Sequence, residues 1–294
     1  MTYLLYGYYT TSTQDYDIKW TMPQCVLTLR LIGLAFNLWD GQRRDEELSD
    51  TQKRVALKER PSLLEIAAYA YFPGAFLIGP QFSMRRYLDF VDGQLTERVC
   101  ITFGLTHNGK DADGRIKWDG CANVKLRTFE TATQMHHYIL SFNINTNHWC
   151  AEYIYKRLKF LGSKIYSQIM TLLFLALWHG LHSGYYHCFF MEFIVTYFER
   201  DIGPVLKNSE KVQTMLKTRW EARVLAFIFL KLYTFVVMGY VLLAFVLLSY
   251  PRYNQVHASL YYYGHVLFFS YPLFAPFIKR LLGPRHERQR PHEE

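Results

Sequence analysis

The residues of this chain best suited to chemistry lie in and around Leu172 to Gly184, LLFLALWHGLHSG, where an apolar helical run ends in two histidines and two glycines. An imidazole carried to the end of such a run is costly to bury unless it has a hydrogen-bond partner or a task. Three readings of His179 stand side by side. It can be a hydrogen-bonded helix-end histidine with no part in chemistry. It can act as a general base, because a neutral imidazole keeps one ring nitrogen free to accept a proton. Or it can hold a metal with His182, three residues on and so on roughly the same helical face as His179 and Ser183, and with the nearby His187. The metal reading is the poorest of the three. No Asp, Glu or Cys except Cys188 falls at helical spacing with these histidines, and HExxH is absent, so no metal is expected. A second pointer is SFNINTNHW, from Ser141 to Trp149. Asparagine amides can donate to a developing oxyanion or orient a carbonyl without adding charge.

The elements that must position these groups look like those of a membrane protein. Half of the 294 residues are apolar, yet long apolar runs alternate with charged ones such as GQRRDEELSDTQKR after Asp40. The net charge of +8 sits beside apolar runs, as in KRLKFLGSK and IKRLLGPRHERQR. That placement suits lipid headgroups or an acidic soluble cosubstrate, and no nucleic-acid partner is expected. Five cysteines are widely spaced without a CxxC pair, which points to buried thiols and neither a disulfide framework nor a zinc site. The start, MTYLLYGYYTTST, lacks the basic region of a cleavable signal and reads as the end of a hydrophobic helix, so the chain is expected to begin partway through a longer architecture.

Along the chain, Met22 to Trp39 reads as a membrane-buried or interfacial helix whose Arg30 is expected to snorkel to the headgroups. Pro61-Ser62 with Glu65 has the pattern of a helix start. The apolar stretch from Leu63 to Phe82 is interrupted by Pro73-Gly74 and Gly79-Pro80, which predicts a broken or re-entrant segment. Nothing between Phe82 and Tyr138 is apolar enough to span. Ala151 to Gly162 reads as an interfacial amphipathic helix, with a soluble amphipathic helix as its alternative. Ile165 to Trp178 and Tyr185 to Phe198 form two arms around a hinge at Gly180 to Gly184, ended by the polar run from Glu199. Val224 to Tyr250 is the clearest transmembrane helix, and Leu260 to Ile278, carrying His265, is the last. The expectation is an all-α, polytopic helical membrane protein with five or six membrane segments, some broken or re-entrant and some interfacial.

Here the motifs carry a resemblance. Trp118-Asp119, Asn143 in FNINTNHW, WHGLHSGY at Trp178 to Tyr185 and YYYGH at Tyr261 to His265 occur in an order that resembles the membrane-bound O-acyltransferases. The stretches YDIKWTMPQCVLTLRLIGL, GAFLIGPQFSM, KWDGCANVK and LALWHGLHSGY resemble those of its lysophospholipid-acylating members. The resemblance covers nearly the whole chain except its last dozen residues and implies one partial domain over 1–294; the charge of 279–294 reads as a basic, flexible tail. It implies transfer of a fatty acyl group, preferably polyunsaturated, to the free hydroxyl of lysophosphatidylcholine and related lysophospholipids in the endoplasmic reticulum membrane. Acyl-coenzyme A serves as cosubstrate and no cofactor is implied. The family histidine falls on His179 and the family asparagine on Asn143, and Lys156, Arg157 and Lys159 are candidates for the coenzyme A phosphates. Two departures accompany it. Regions resembling GQL, Gly93 to Leu95, and RVC, Arg98 to Cys100, are abutted where the family has further helices, and the chain ends RPHEE in place of a dilysine signal. The alternative is therefore a non-catalytic, shortened member acting as a partner or folding poorly.

Overall fold

The computed structural model describes residues 1–13, 19–77, 79, 81–93, 109–117, 119 and 122–282. Their regular structure is helical, and the sheet-like pairings among them are two isolated bridges, Lys110 with Ile116 and Val124 with Phe142. In chain order the helices are α1 (Thr2–Thr11), α2 (Thr21–Gly41), α3 (Asp50–Val55), α4 (Leu63–Ala70), α5 (Met84–Val91), α6 (Leu126–Glu130) and α7 (Met135–Ser141). There follow α8 (Ile144–Cys150), α9 (Lys164–His179), α10 (Ser183–Asn208), α11 (Glu210–Thr218), α12 (Trp220–Leu247), α13 (Tyr250–Ser259) and α14 (Tyr263–Leu282).

The N-terminal part is set by local chemistry. Ser62 starts α4 as the sequence predicts: its hydroxyl accepts from the Glu65 amide at 3.2 Å while the Glu65 carboxylate accepts from the Ser62 amide at 2.7 Å. The helix stops at Tyr71, ahead of Pro73, and the chain turns through Phe76 before α5, so the expected broken segment is observed. Its end explains Arg30. Instead of snorkelling to headgroups, Arg30 is fully buried and donates from Nη1 to the carbonyls of Tyr69 and Ala70, both at 3.1 Å. The broken helix leaves carbonyls unsatisfied at its C-terminus, and a buried cation is the partner they draw in. The guanidinium lies 4.9 Å from the Phe82 ring centroid. Arg30→Ala is expected to destabilise the fold by about 2–4 kcal/mol, because the buried Ala70 carbonyl loses its side-chain donor and the Tyr69 carbonyl keeps only a long backbone bond from Phe72. Thermal unfolding of the detergent-solubilised protein measures it; an unchanged Tm would contradict this role.

The C-terminal part is built around α10, which packs against α9, α12, α14 and α7. Its residues Cys188, Met191 and Val195 recur at three- and four-residue spacing, line one helical face and meet Val237, Tyr240 and Val241 of α12 and Phe268 of α14. Burying side chains such as Met191 contributes about 1.5–3 kcal/mol each. The helix does not end at Glu199 as its polar run suggests. Glu199 accepts from the Met135 amide, 2.9 Å, and the Tyr233 hydroxyl, 3.2 Å, while Asp201 accepts from Lys279 and Tyr271, both at 2.7 Å. These carboxylates are satisfied by other helices, so α10 continues through Pro204 to Asn208.

Among the described residues two helices are long and apolar enough to cross a membrane, Thr21–Gly41 and Trp220–Leu247, against the five or six expected segments. On α12, Leu225, Phe229, Leu232 and Phe235 are all exposed, an apolar face of the kind that lipid covers. Residues 151–162 form no regular amphipathic helix: a turn of π-helix, Ala151–Tyr155, passes into a 3₁₀ stretch, Lys156–Leu161. The last apolar run forms one helix, α14, which starts at Tyr263 and is reached from α12 through two turns. The backbone turns left-handed at Leu248, forms α13, and does so again at Tyr261 and Tyr262 before α14. The junction at Leu95 to Arg98, Cys100, Cys121, Trp118 and the residues of the tail after Leu282 lie outside the described residues. Cys150 and Cys188 are buried free thiols and Cys25 is half-buried.

Candidate active site

The apolar run of α9 ends at His179 for a backbone reason. Gly180 adopts φ 149°, ψ −174°, a conformation accessible to glycine almost alone, and its amide still donates to the Ala176 carbonyl at 3.1 Å. A Cβ at Gly180 would lie 2.8 Å from the Tyr185 ring, so glycine is needed for space as well. The chain then reverses and α10 begins at Ser183 with His182 as the residue before it. This corrects the expectation that His179, His182 and Ser183 share a helical face: the helix has already ended, and the residues belong to two helices and the turn between them.

The reversal folds α10 back over the imidazole. His179 is enclosed by Trp178 with ring centroids 4.6 Å apart, Phe245 of α12 at 5.0 Å, Phe189 at 5.5 Å and Tyr185 at 5.7 Å. No hydrogen bond holds its ring among the described residues. Packing against these four rings fixes the plane of the imidazole.

One side of His179 opens on a cavity of about 210 Å³, whose wall includes Gly180, His182, Tyr185 and Leu248 and, from the N-terminal helices, Tyr8, Lys19 and Cys25. Trp178 ties the two halves together. Its indole donates to the Cys25 carbonyl at 3.1 Å, and its own carbonyl accepts from the Tyr8 hydroxyl at 2.6 Å. Lys19, in the YDIKW stretch, brings a cation to this wall and donates to Thr13 Oγ1 at 2.6 Å. Sequence reasoning missed Tyr8 and Lys19, since neither spacing nor composition links residues so far from His179 in the chain.

Asn143 caps α8 with a left-handed backbone, φ 50°, ψ 42°, which asparagine tolerates better than most residues. Its Oδ1 accepts from Asn123 Nδ2 at 3.4 Å. The neighbouring asparagines have other duties: Asn145 donates to Ala122 and Asn123, and Asn147 donates to the carbonyls of Ile139 and Phe142. Residues 144–161 run antiparallel to α9, as shown by Ser167 Oγ donating to the Leu158 carbonyl at 3.0 Å and Trp149 stacking on Phe174 at 6.2 Å. The start of α8 thus lies level with the end of α9, which places Asn143 and His179 at the same end of this hairpin. They do not share the cavity: its wall holds His179 and not Asn143.

A second cavity, about 160 Å³, is lined by Asn37, Tyr153 and Arg157 among others. Burial pushes the Tyr153 phenol up to about 12, keeping it a donor to Asn37 Oδ1 at 2.8 Å. Arg157 is committed to the fully buried Asp40, with Nη1 at 2.8 Å from Oδ1 and Nη2 on Oδ2. Lys156 bonds Glu152, and Lys159 is exposed. Of the three cations suggested for phosphates, Arg157 is thereby withdrawn, because releasing it would strand a buried carboxylate.

The profile of the membrane-bound O-acyltransferase family, MBOAT, matches residues 5–97 and 93–243, two pieces that meet where the sequence reading finds abutted segments. The chain is 38% identical to "Lysophospholipid acyltransferase 5" of Mus musculus over 369 positions, covering 100% of this chain and 75% of the mouse protein. It is 39% identical to the Homo sapiens protein of that name, covering 98% of this chain and 74% of the human one. The Drosophila melanogaster counterpart is 39% identical over 90% of this chain and 68% of its own length.

Proposed function

This chain belongs to the membrane-bound O-acyltransferase family, and from that premise we propose that it moves a fatty acyl group from acyl-coenzyme A to the free hydroxyl of lysophosphatidylcholine and related lysophospholipids. That it is an O-acyltransferase acting in membrane phospholipid remodelling follows from the family and its relatives. The acyl donor, the preference for polyunsaturated chains, the choline headgroup and a multi-pass location in the endoplasmic reticulum belong to the proposal. The observation that carries the site assignment is the ring of His179, held by four aromatic rings and without a hydrogen bond among the described residues, on the wall of a cavity.

A thioester is already activated, so no enzyme nucleophile is needed. His179 accepts the proton of the glycerol hydroxyl as its oxygen attacks the thioester carbonyl; the C–O bond forms, the C–S bond breaks, and the proton passes from the imidazolium to the coenzyme A thiolate. Asn143 serves as the amide that orients the acceptor or donates to the oxyanion once the substrates draw the hairpin end together. Lys19 supplies a cation for a phosphate at the cavity wall. The aromatic enclosure keeps water, the competing acceptor, away from the thioester. At about 210 Å³ the cavity takes the reacting ends, and the acyl chains lie in the surrounding lipid.

The test is expression in cells depleted of their own lysophospholipid acyltransferases, followed by incubation of membranes with isotope-labelled acyl-coenzyme A and lysophosphatidylcholine. Labelled phosphatidylcholine above the empty-vector level is expected, with a polyunsaturated donor used faster than a saturated one. The mouse alignment spans 369 positions against 294 residues here, which favours one other reading, a non-catalytic member. Membranes that hold the protein but form no labelled product would establish that reading instead.

A further inference from the structure

Off the wall of the His179 cavity, three histidines from three helices meet. His187 of α10, His257 of α13 and His265 of α14 each bring one ring nitrogen within 4.8 Å of those of the other two. His257 is buried and the other two are half-buried. A second observation is independent of that proximity: Nε2 of His187 is buried and has no hydrogen-bond partner among the described residues. A buried polar nitrogen without a partner is costly, and a cation at this point would satisfy it.

We infer that His187, His257 and His265 form a binding site for a divalent transition metal, zinc in the first place, which ties α10, α13 and α14 together. Three imidazoles with no carboxylate or thiolate suit zinc better than the oxygen-seeking magnesium or calcium. The surroundings already hold the outer nitrogens as a metal site requires. The Tyr240 hydroxyl is hydrogen-bonded to Nδ1 of His265, which leaves that ring's Nε2 for a metal, and Nε2 of His257 lies 3.4 Å from the Tyr240 carbonyl, which leaves its Nδ1. The Tyr253 ring stacks on His187 at 5.0 Å with an interplanar angle of 22°, fixing its plane. At the usual Zn–N length of 2.0–2.1 Å, tetrahedral ligand nitrogens are about 3.4 Å apart, so the rings need to close by roughly an ångström. A water or hydroxide takes the fourth position and offsets part of the charge.

No sequence pattern announces this site, because its ligands come from three separated helices and their meeting depends on the left-handed residues Tyr261 and Tyr262 that turn α14 back toward α13. The metal reading weighed for His179, His182 and His187 has one of the three ligands in common with it.

The test uses the full chain, purified in detergent with a tag free of histidine, and elemental analysis by mass spectrometry. About one zinc per chain is expected, retained in His179→Phe and lost in His187→Ala and in His257→Gln. Because those variants can fail to fold, the wild-type protein is also stripped with chelator and loaded with cobalt(II), which should give the intense visible bands of tetrahedral coordination. Wild-type protein with neither zinc nor the tetrahedral cobalt spectrum would overturn the inference, as would folded His187→Ala with full zinc content.

Discussion

Membranes containing His179→Ala are expected to form labelled phospholipid at least ~10²–10⁴-fold more slowly than wild type, the range a lost general base accounts for. Alanine alone is an imperfect probe, since it removes a ring that four others pack around and leaves a void beside an existing cavity. His179→Phe separates the two effects. Phenylalanine keeps an aromatic ring among Trp178, Tyr185, Phe189 and Phe245 while offering no atom that can take a proton. The expected outcome is a Tm close to wild type in His179→Phe together with the same loss of acyl transfer as in His179→Ala. Activity retained in His179→Phe would show that the ring's shape and not its basicity matters.

A large structural effect is expected at Gly184. Here α10 meets the end of α12 so closely that an added Cβ would lie 2.0 Å from the Ala244 carbonyl oxygen and 2.8 Å from that of Leu248. The Gly184 amide also donates to the Leu248 carbonyl at 2.8 Å, so the two backbones cannot separate without losing that bond. Gly184→Ala must therefore push the helices apart by more than an ångström. The cost is about 3 kcal/mol or more, at the upper end for overpacking, because backbone atoms cannot rotate away as a side chain can. The damage reaches the chemistry, since Tyr185 and Phe245, in ring contact at 4.8 Å, are both walls of the His179 enclosure and lie on the two helices forced apart. A marked fall in Tm and in acyl transfer is expected. Gly203→Ala, on the same helix with open space around the added methyl, is the control and should be neutral or slightly stabilising. Equal Tm for the two variants would contradict the close packing.

Features fixed by neighbours in the chain were legible in the sequence. The start of α4 at Ser62, the break before Pro73, the end of α9 at Gly180 and the apolar span of α12 depend on capping, on proline, on glycine and on hydropathy. Features settled by distant partners were not. Arg30 reads as a headgroup contact until the end of α4 is seen against it. Glu199 and Asp201 read as the end of a buried helix because their donors, Met135, Tyr233, Tyr271 and Lys279, lie on α7, α12 and α14. The asparagine stretch gave three amides of one type; only the structure separates Asn145 and Asn147, which hold loops, from Asn143 at the turn. Of the three histidines read together, His187 belongs to another group altogether.

The most direct measurement is turnover by the purified chain in liposomes, following coenzyme A thiol release and labelled phosphatidylcholine in the same samples. The expected result for wild type is sustained turnover with one phospholipid formed for each thiol released, and no turnover for His179→Phe prepared in parallel. Thiol release without phospholipid, or equal phospholipid formation by the two proteins, would contradict His179 as the base of a lysophospholipid acyltransferase.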